Sequence, residues 1–145
     1  MKLETLLLLL IEKKTKKNTI MNENEISKII VNAAFKIHSE LGPGLLESIY
    51  EKILLHELSK IGLKTESQKG IKVIWDGVNM DFGFRADIIV ENKVIIEIKS
   101  VENISPVHPK QLLTYLKVSG LKLGLLINLN EALIKNGITR IVNNL

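Results

Sequence analysis

Between Ala86 and Ser100 the chain reads A-D-I-I-V-E-N-K-V-I-I-E-I-K-S, two apolar runs joined by a short polar stretch. In the second run Val94, Ile96 and Ile98 alternate with Ile95, Glu97 and Lys99, the two-residue period of a strand. Glu97 and Lys99 therefore leave one face of a strand that otherwise reads as buried. A charge inside a sheet costs on the order of several kcal/mol unless it is paired or holds a metal. This spot in the chain is therefore a candidate for chemistry.

The turn between the runs fixes which residues face each other. A two-residue loop at Glu91-Asn92 would set Asp87 opposite Ile96, on the wrong face. A loop of Glu91, Asn92 and Lys93 pairs Val90 with Val94 and sets Asp87 opposite Glu97. One residue of slip flips every side chain, so the odd-length loop, or a bulge with the same effect, is the expected form. Two carboxylates and an ammonium then converge within reach of one divalent ion and one water. Hard cations favour carboxylate oxygen and lower the pKa of bound water.

Around this stretch the patterning predicts a mixed sheet with flanking helices. Ile26, Ile29, Ile30, Ala33, Ala34, Ile37 and Leu41 recur at helical spacing over 25–41, with Asn22 or Asn24 as N-cap. Gly42-Pro43-Gly44 ends that helix, and a second runs from about Leu45 to Lys60 before Gly62. Residues 64–68 read as a short polar edge strand or loop. Ile71–Trp75 reads as a strand, Asp76-Gly77 as a hairpin turn, and 80–90 as the return strand, interrupted at Gly83. Trp75 reads as core or rim rather than as a base-stacking platform. A third helix is expected after Pro106, with His108 as N-cap, Pro109 at its first position and Gly120 at its end. Gln111 and Tyr115, four residues apart, share one face of it. Residues 121–129 read as a buried strand, and 137–142 as a final one.

Composition sets limits. At 145 residues the chain is long enough for one domain with a proper core. It has no cysteine, which excludes disulfides, thiol catalysis and cysteine-ligated zinc. His38 and His56 read as helix-surface residues. The net charge is +4, but residues 1–20 hold five lysines and two glutamates, leaving 15 basic against 14 acidic residues. Global charge thus gives little support for nucleic-acid binding. The apolar run Leu6–Ile11 is too short to span a bilayer and is marginal as a signal peptide, with no small-residue cleavage site after it. The basic cluster Lys13–Lys17 could touch a membrane or nucleic acid, but a cytoplasmic protein without a membrane partner is the expectation. Residues 1–20 are expected to be an extension outside the fold, disordered or loosely helical, with Met21 as the real start and 21–145 as one domain.

Three motifs resemble a known family. Asp87 followed by Glu97-Ile98-Lys99 is similar to the D…(D/E)xK signature of the PD-(D/E)XK nuclease superfamily. Gly44-Leu45-Leu46-Glu47-Ser48-Ile49-Tyr50 resembles the GxxExxY motif of one subgroup. Gln111-Leu112-Leu113-Thr114-Tyr115 is similar to the QxxxY element that follows the core in several branches. The resemblance implies an α/β restriction-endonuclease-like core and a metal-dependent nuclease that hydrolyses phosphodiester bonds, in DNA first of all. It implies that Glu47, Asp87, Glu97 and the main-chain carbonyl of Ile98 hold Mg2+ or Mn2+. Lys99 would orient the attacking water or neutralise developing charge, and Gln111 and Tyr115 would position the backbone phosphate or brace the site.

Blander readings stand beside these. Glu47 could simply complement a helix dipole in the first turn, and Gln111 with Tyr115 could be a surface hydrogen-bonded pair. Arg85, two residues before Asp87, could bind a phosphate or merely neutralise the acidic pair. The whole domain could be a catalytically silent nuclease-fold module that binds nucleic acid or a protein partner. An exposed sheet edge would support a homodimer, though no residue pattern demands one.

Overall fold

The computed structural model of the chain describes residues 2–17, the side chains of 13–17 aside, and residues 20–145. The basic cluster Lys13–Lys17 therefore has no described side chains. Met1, Asn18 and Thr19 of the expected extension lie outside the described residues. The helices are α1 (Leu3–Lys17), α2 (Glu23–Leu41), α3 (Glu47–Ile61) and α4 (Val107–Ser119). The strands are β1 (Thr65–Trp75), β2 (Val78–Val90), β3 (Val94–Lys99), β4 (Leu123–Asn128) and β5 (Ile138–Val142).

The five strands form one sheet in the order β1-β2-β3-β4-β5. β3 and β4 run parallel, joined by the α4 crossover, and the other neighbours are antiparallel. This is the mixed sheet with flanking helices that the patterning predicts. α2 and α3 cover one face, where Ile26, Ile30, Tyr50, Leu54, Ile96 and Leu125 share a buried cluster. On the other face Leu112 and Leu116 of α4 meet Ala86, Ile89, Ile95 and Leu126. Each fully buried aliphatic side chain contributes roughly 1.5–3 kcal/mol. The segment set apart as an extension forms α1, and its Leu7 and Leu10 pack in part against the first cluster.

Local chemistry explains the helix ends. The Asn22 side chain accepts from the Glu25 backbone N–H at 2.8 Å, and α2 stops at Gly42, φ +70°. Gly62 and Gly120 close α3 and α4 in the left-handed region. α4 begins at Val107, one residue before the expected His108 cap, because Pro106 itself takes up helical backbone angles.

Two residues fall elsewhere than expected. His38 is 8% exposed rather than on the surface, since its Nε2 hydrogen-bonds to the Glu131 carbonyl at 2.7 Å. Trp75 is neither core nor rim: it is 72% exposed, at the tip of the β1–β2 hairpin. The hairpin turn itself is as read, with Asp76 and Gly77 both at positive φ. At Gly83, where the strand pattern is interrupted, the backbone passes so close to its neighbour that a Cβ would overlap Val73 Cγ2.

Candidate active site

The polar stretch between β2 and β3 is the three-residue loop. Val90 pairs with Val94, Lys93 N–H donates to the Val90 carbonyl at 3.0 Å, and Glu91 and Asn92 take positive φ. The β2–β3 register runs Val90↔Val94, Ile89↔Ile95 and Ile88↔Ile96, so the next residues along are Asp87 and Glu97. There the two strands part, and the Asp87 side chain takes over as acceptor. Its Oδ2 receives the Ile98 N–H at 2.9 Å, while the Asp87 N–H points to Glu97 Oε1 at 3.5 Å. Asp87 and Glu97 are thereby locked side by side at the mouth of the sheet.

Glu97 is 9% exposed. Burial pushes its carboxyl up to about 8, the Asp87 charge adds to that, and Lys99 pulls the other way. Lys99 lies half-buried on the same strand face, as the period requires. Tyr115 of α4 completes this side. Its hydroxyl is pushed above its ordinary pKa by burial and then by Glu97 and Asp87, which puts it in their field. Its ring stacks on Phe84 of β2. Gln111, one turn earlier on α4, is exposed.

The α3 motif residues divide. Tyr50 is fully buried, and its hydroxyl donates to the Gly42 carbonyl at 2.6 Å and accepts from Leu45 N–H at 3.2 Å. It braces the loop that leads into α3. Glu47 is exposed, and its Oε1 accepts from Ser100 N–H at 3.1 Å. Ser100 Oγ in turn donates to the Leu45 carbonyl at 2.8 Å. Glu47 thus ties the start of α3 to the residue that follows Lys99. After Ser100 the chain is fixed by Asn128, fully buried, which bonds both backbone groups of Val101.

Two residues with no functional signal in the sequence also meet the acidic pair. Gln68 of β1 donates through Nε2 to both oxygens of Glu51, at 3.0 and 2.9 Å, and to Asp87 Oδ1 at 3.3 Å. The Glu51 carboxyl is raised by burial and by Asp87, against the lowering effect of Gln68. Glu51 lies one turn after Glu47, a spacing legible in the sequence, but nothing there singled it out.

Arg85 is exposed and lines a surface hollow with Gln68, Lys69 and Phe82. Arg85 and Asp87, two residues apart, would share a strand face only if no bulge came between them. Phe84 and Ala86 belong to the same cluster as Ile89, so the alternation slips between Ala86 and Ile89.

Asp87 and Glu97 are the paired hard donors that could hold a divalent cation, and their mutual repulsion at a buried position is what such an ion would relieve. Among the described residues no group of three Asp, Glu, His or Cys side chains meets closely enough to enclose one. Among them, too, no helix is long and apolar enough to cross a membrane.

Comparison with known proteins bears on this arrangement. No curated protein matches the chain. A solved structure described as "Crystal structure of SSO0001" aligns at 22% identity and a TM-score of 0.49, over 100% of this chain and 79% of that one. The family model of the PD-(D/E)XK nuclease superfamily matches residues 24–141, a span that holds every residue of the site described above. The chain belongs to the PD-(D/E)XK nuclease superfamily.

Proposed function

We propose that this chain is a metal-dependent nuclease of the GxxExxY subgroup, hydrolysing phosphodiester bonds in DNA. The observation that carries the reading is the Asp87–Glu97 pair, with Glu97 buried and Lys99 beside it on the same strand face. Asp87, Glu97 and the Ile98 carbonyl would hold Mg2+ or Mn2+, with a carboxylate from α3, Glu47 by motif, completing the set. A bound divalent ion supplies an activated water and stabilises charge on the phosphorane-like transition state.

The protein's own groups do the rest. Lys99 orients the water or neutralises the charge that develops on the phosphate. Tyr115, in the field of both carboxylates, and Gln111 one turn earlier on α4 position the backbone phosphate. Arg85 offers a second phosphate contact from the neighbouring hollow. Low base specificity is expected of so small a domain.

A catalytically silent module is the second reading, favoured by the lack of a third converging carboxylate among the described residues. Incubation of the wild-type chain with single- and double-stranded DNA, and with RNA, in Mn2+ or EDTA separates the two. Cleavage that needs the metal and disappears in Glu97→Gln and Lys99→Ala supports the enzyme. Retained binding without cleavage of any of the three supports the module.

A further inference from the structure

The β1–β2 hairpin carries a surface stripe that the acidic pair does not use. Its ladder pairs Gly70 with Arg85, Lys72 with Phe82 and Ile74 with Asn79. Ladder partners leave one face together, and so do residues two apart on β1, so these residues share a face of the hairpin. Both register shifts put the extra residue on β2, one on each side of Phe82. Without the first shift Phe82 would share a face with Phe84, which packs in the cluster beneath α4. The bulge turns the ring to the other side instead. There a Cβ at Gly70 would stand 2.9 Å from it, so only glycine lets the ring lie over the backbone. Phe82 is nonetheless 64% exposed.

The charges around the ring suit a polyanion. Lys72 lies across the ladder from it, with Nζ 5.8 Å from the ring centroid, and Arg85 stands nearer Asp87 on the same face. Both cations are exposed. Asp81, the adjacent carboxylate in the chain, is turned back to accept the Phe82 N–H at 2.9 Å. Arg85, Gly70 and Phe82 line the surface hollow, about 590 Å3 in volume, which is room enough for a small planar group. At 5.8 Å the Lys72 ammonium is at the outer limit of a cation–π contact, so it can turn to a phosphate while a base takes the ring.

An exposed ring between cations holds a base by its face and the flanking phosphates by charge. In a duplex those faces are covered by the neighbouring base pairs, so such a ring serves an unpaired strand. Phe82 lies five residues from Asp87, roughly 16 Å along a strand, so a stretch of a few nucleotides spans from the ring past Arg85 to the acidic pair. We propose that Phe82, with Lys72 and Arg85, forms a subsite that stacks a base of single-stranded nucleic acid, and that the site takes a single strand in preference to a duplex. This rests on the nuclease reading above and adds the form of its substrate.

The test is fluorescence anisotropy of a labelled oligothymidylate, and of a blunt duplex of equal length, with the full chain in EDTA. Mn2+-dependent cleavage of both is measured alongside. Phe82→Leu keeps an apolar side chain over Gly70 without a ring, and Phe82→Tyr keeps the ring. Trp75 pairs with Val78 one residue on from Ile74, on the opposite face, and serves as the matched exposed aromatic. Phe82→Leu is expected to lose single-strand affinity about fivefold or more, with duplex affinity within about twofold of wild type. Phe82→Tyr should restore the loss, and Trp75→Ala should not show it. Unchanged single-strand affinity in Phe82→Leu, an equal loss in Trp75→Ala, or a wild type that binds the duplex as tightly as the single strand overturns the subsite. So does a wild-type dimer in sedimentation that Phe82→Leu dissociates with oligonucleotide affinity unchanged, since the ring then belongs to a contact with a second copy. Metal-dependent cleavage persisting in any of these cases leaves the nuclease reading standing. Ring-dependent binding of the single strand with no cleavage in Mn2+ supports the subsite and removes the nuclease reading.

Discussion

The rings of Phe84 and Tyr115 lie parallel, 1° apart in plane, with centroids 4.0 Å apart. Phe84 sits on β2 three residues before Asp87, and Tyr115 lies on α4 within the field of Asp87 and Glu97. One stacked pair therefore fixes the helix that carries the hydroxyl against the strand that carries the carboxylate. Phe84→Leu keeps an apolar side chain but loses the stack. It is expected to cost about 1–2 kcal/mol in urea unfolding. It should also lower any cleavage activity toward the level of Tyr115→Phe. Wild-type stability in Phe84→Leu would remove the stack from the account of the site.

Tyr50 makes a different prediction. Its hydroxyl is fully buried and serves two backbone groups, donating to Gly42 and accepting from Leu45. Tyr50→Phe leaves a part-buried carbonyl and an N–H without that partner, at a cost of roughly 0.5–1.5 kcal/mol. The urea midpoint should fall with an unchanged slope, since the surface exposed on unfolding is the same. A midpoint equal to wild type would mean that the motif tyrosine is dispensable to the α2–α3 loop.

Gly124 lies buried in β4 beneath α4, and a Cβ there would stand 2.8–2.9 Å from the side chain of Leu112. Leu112 is itself 1% exposed, so its side chain would have to shift within the core. Gly124→Ala should push α4 off the sheet and destabilise the fold by about 1–3 kcal/mol. The compensating Leu112→Val should recover part of that loss. Equal stability in Gly124→Ala and wild type would show that α4 is not seated on this contact.

How much of this could be read in the sequence depended on whether a residue's partner was near or far along the chain. The Asp87–Glu97 pairing was legible because strand parity and a three-residue loop at Glu91–Lys93 decide it within fifteen residues. The Gln68–Glu51 contact joins residues 17 apart on different elements, through a backbone angle that no pattern announces. His38 reads as a polar residue on a helix until its bond to the Glu131 carbonyl, 93 residues away, gives it a buried partner. Trp75 reads as core or rim because aromatic side chains seek burial, but it falls at the tip of the β1–β2 hairpin and stays exposed. Whether Arg85 shares a face with Asp87 depends on a bulge, and the slip of the alternation between Ala86 and Ile89 has no mark in the residues themselves.

Burial and the neighbouring Asp87 raise the Glu97 carboxyl from 4.5 to about 8 in the folded chain. Between those values the native state binds more protons at this site than the unfolded state does. Stability from Glu97 is therefore fully present below about 4.5 and is lost as pH rises through about 8. In metal-free buffer, wild type should lose stability relative to Glu97→Gln between pH 5 and pH 9, by an amount on the order of a few kcal/mol. Glutamine cannot ionise, so the difference between the two melting curves isolates this one carboxyl. Mn2+ should reverse the loss at high pH, because a cation between Asp87 and Glu97 favours the charged form. Melting curves that stay parallel across the range would show that Glu97 ionises as an ordinary carboxylate, which would remove the electrostatic reason for a cation at this site.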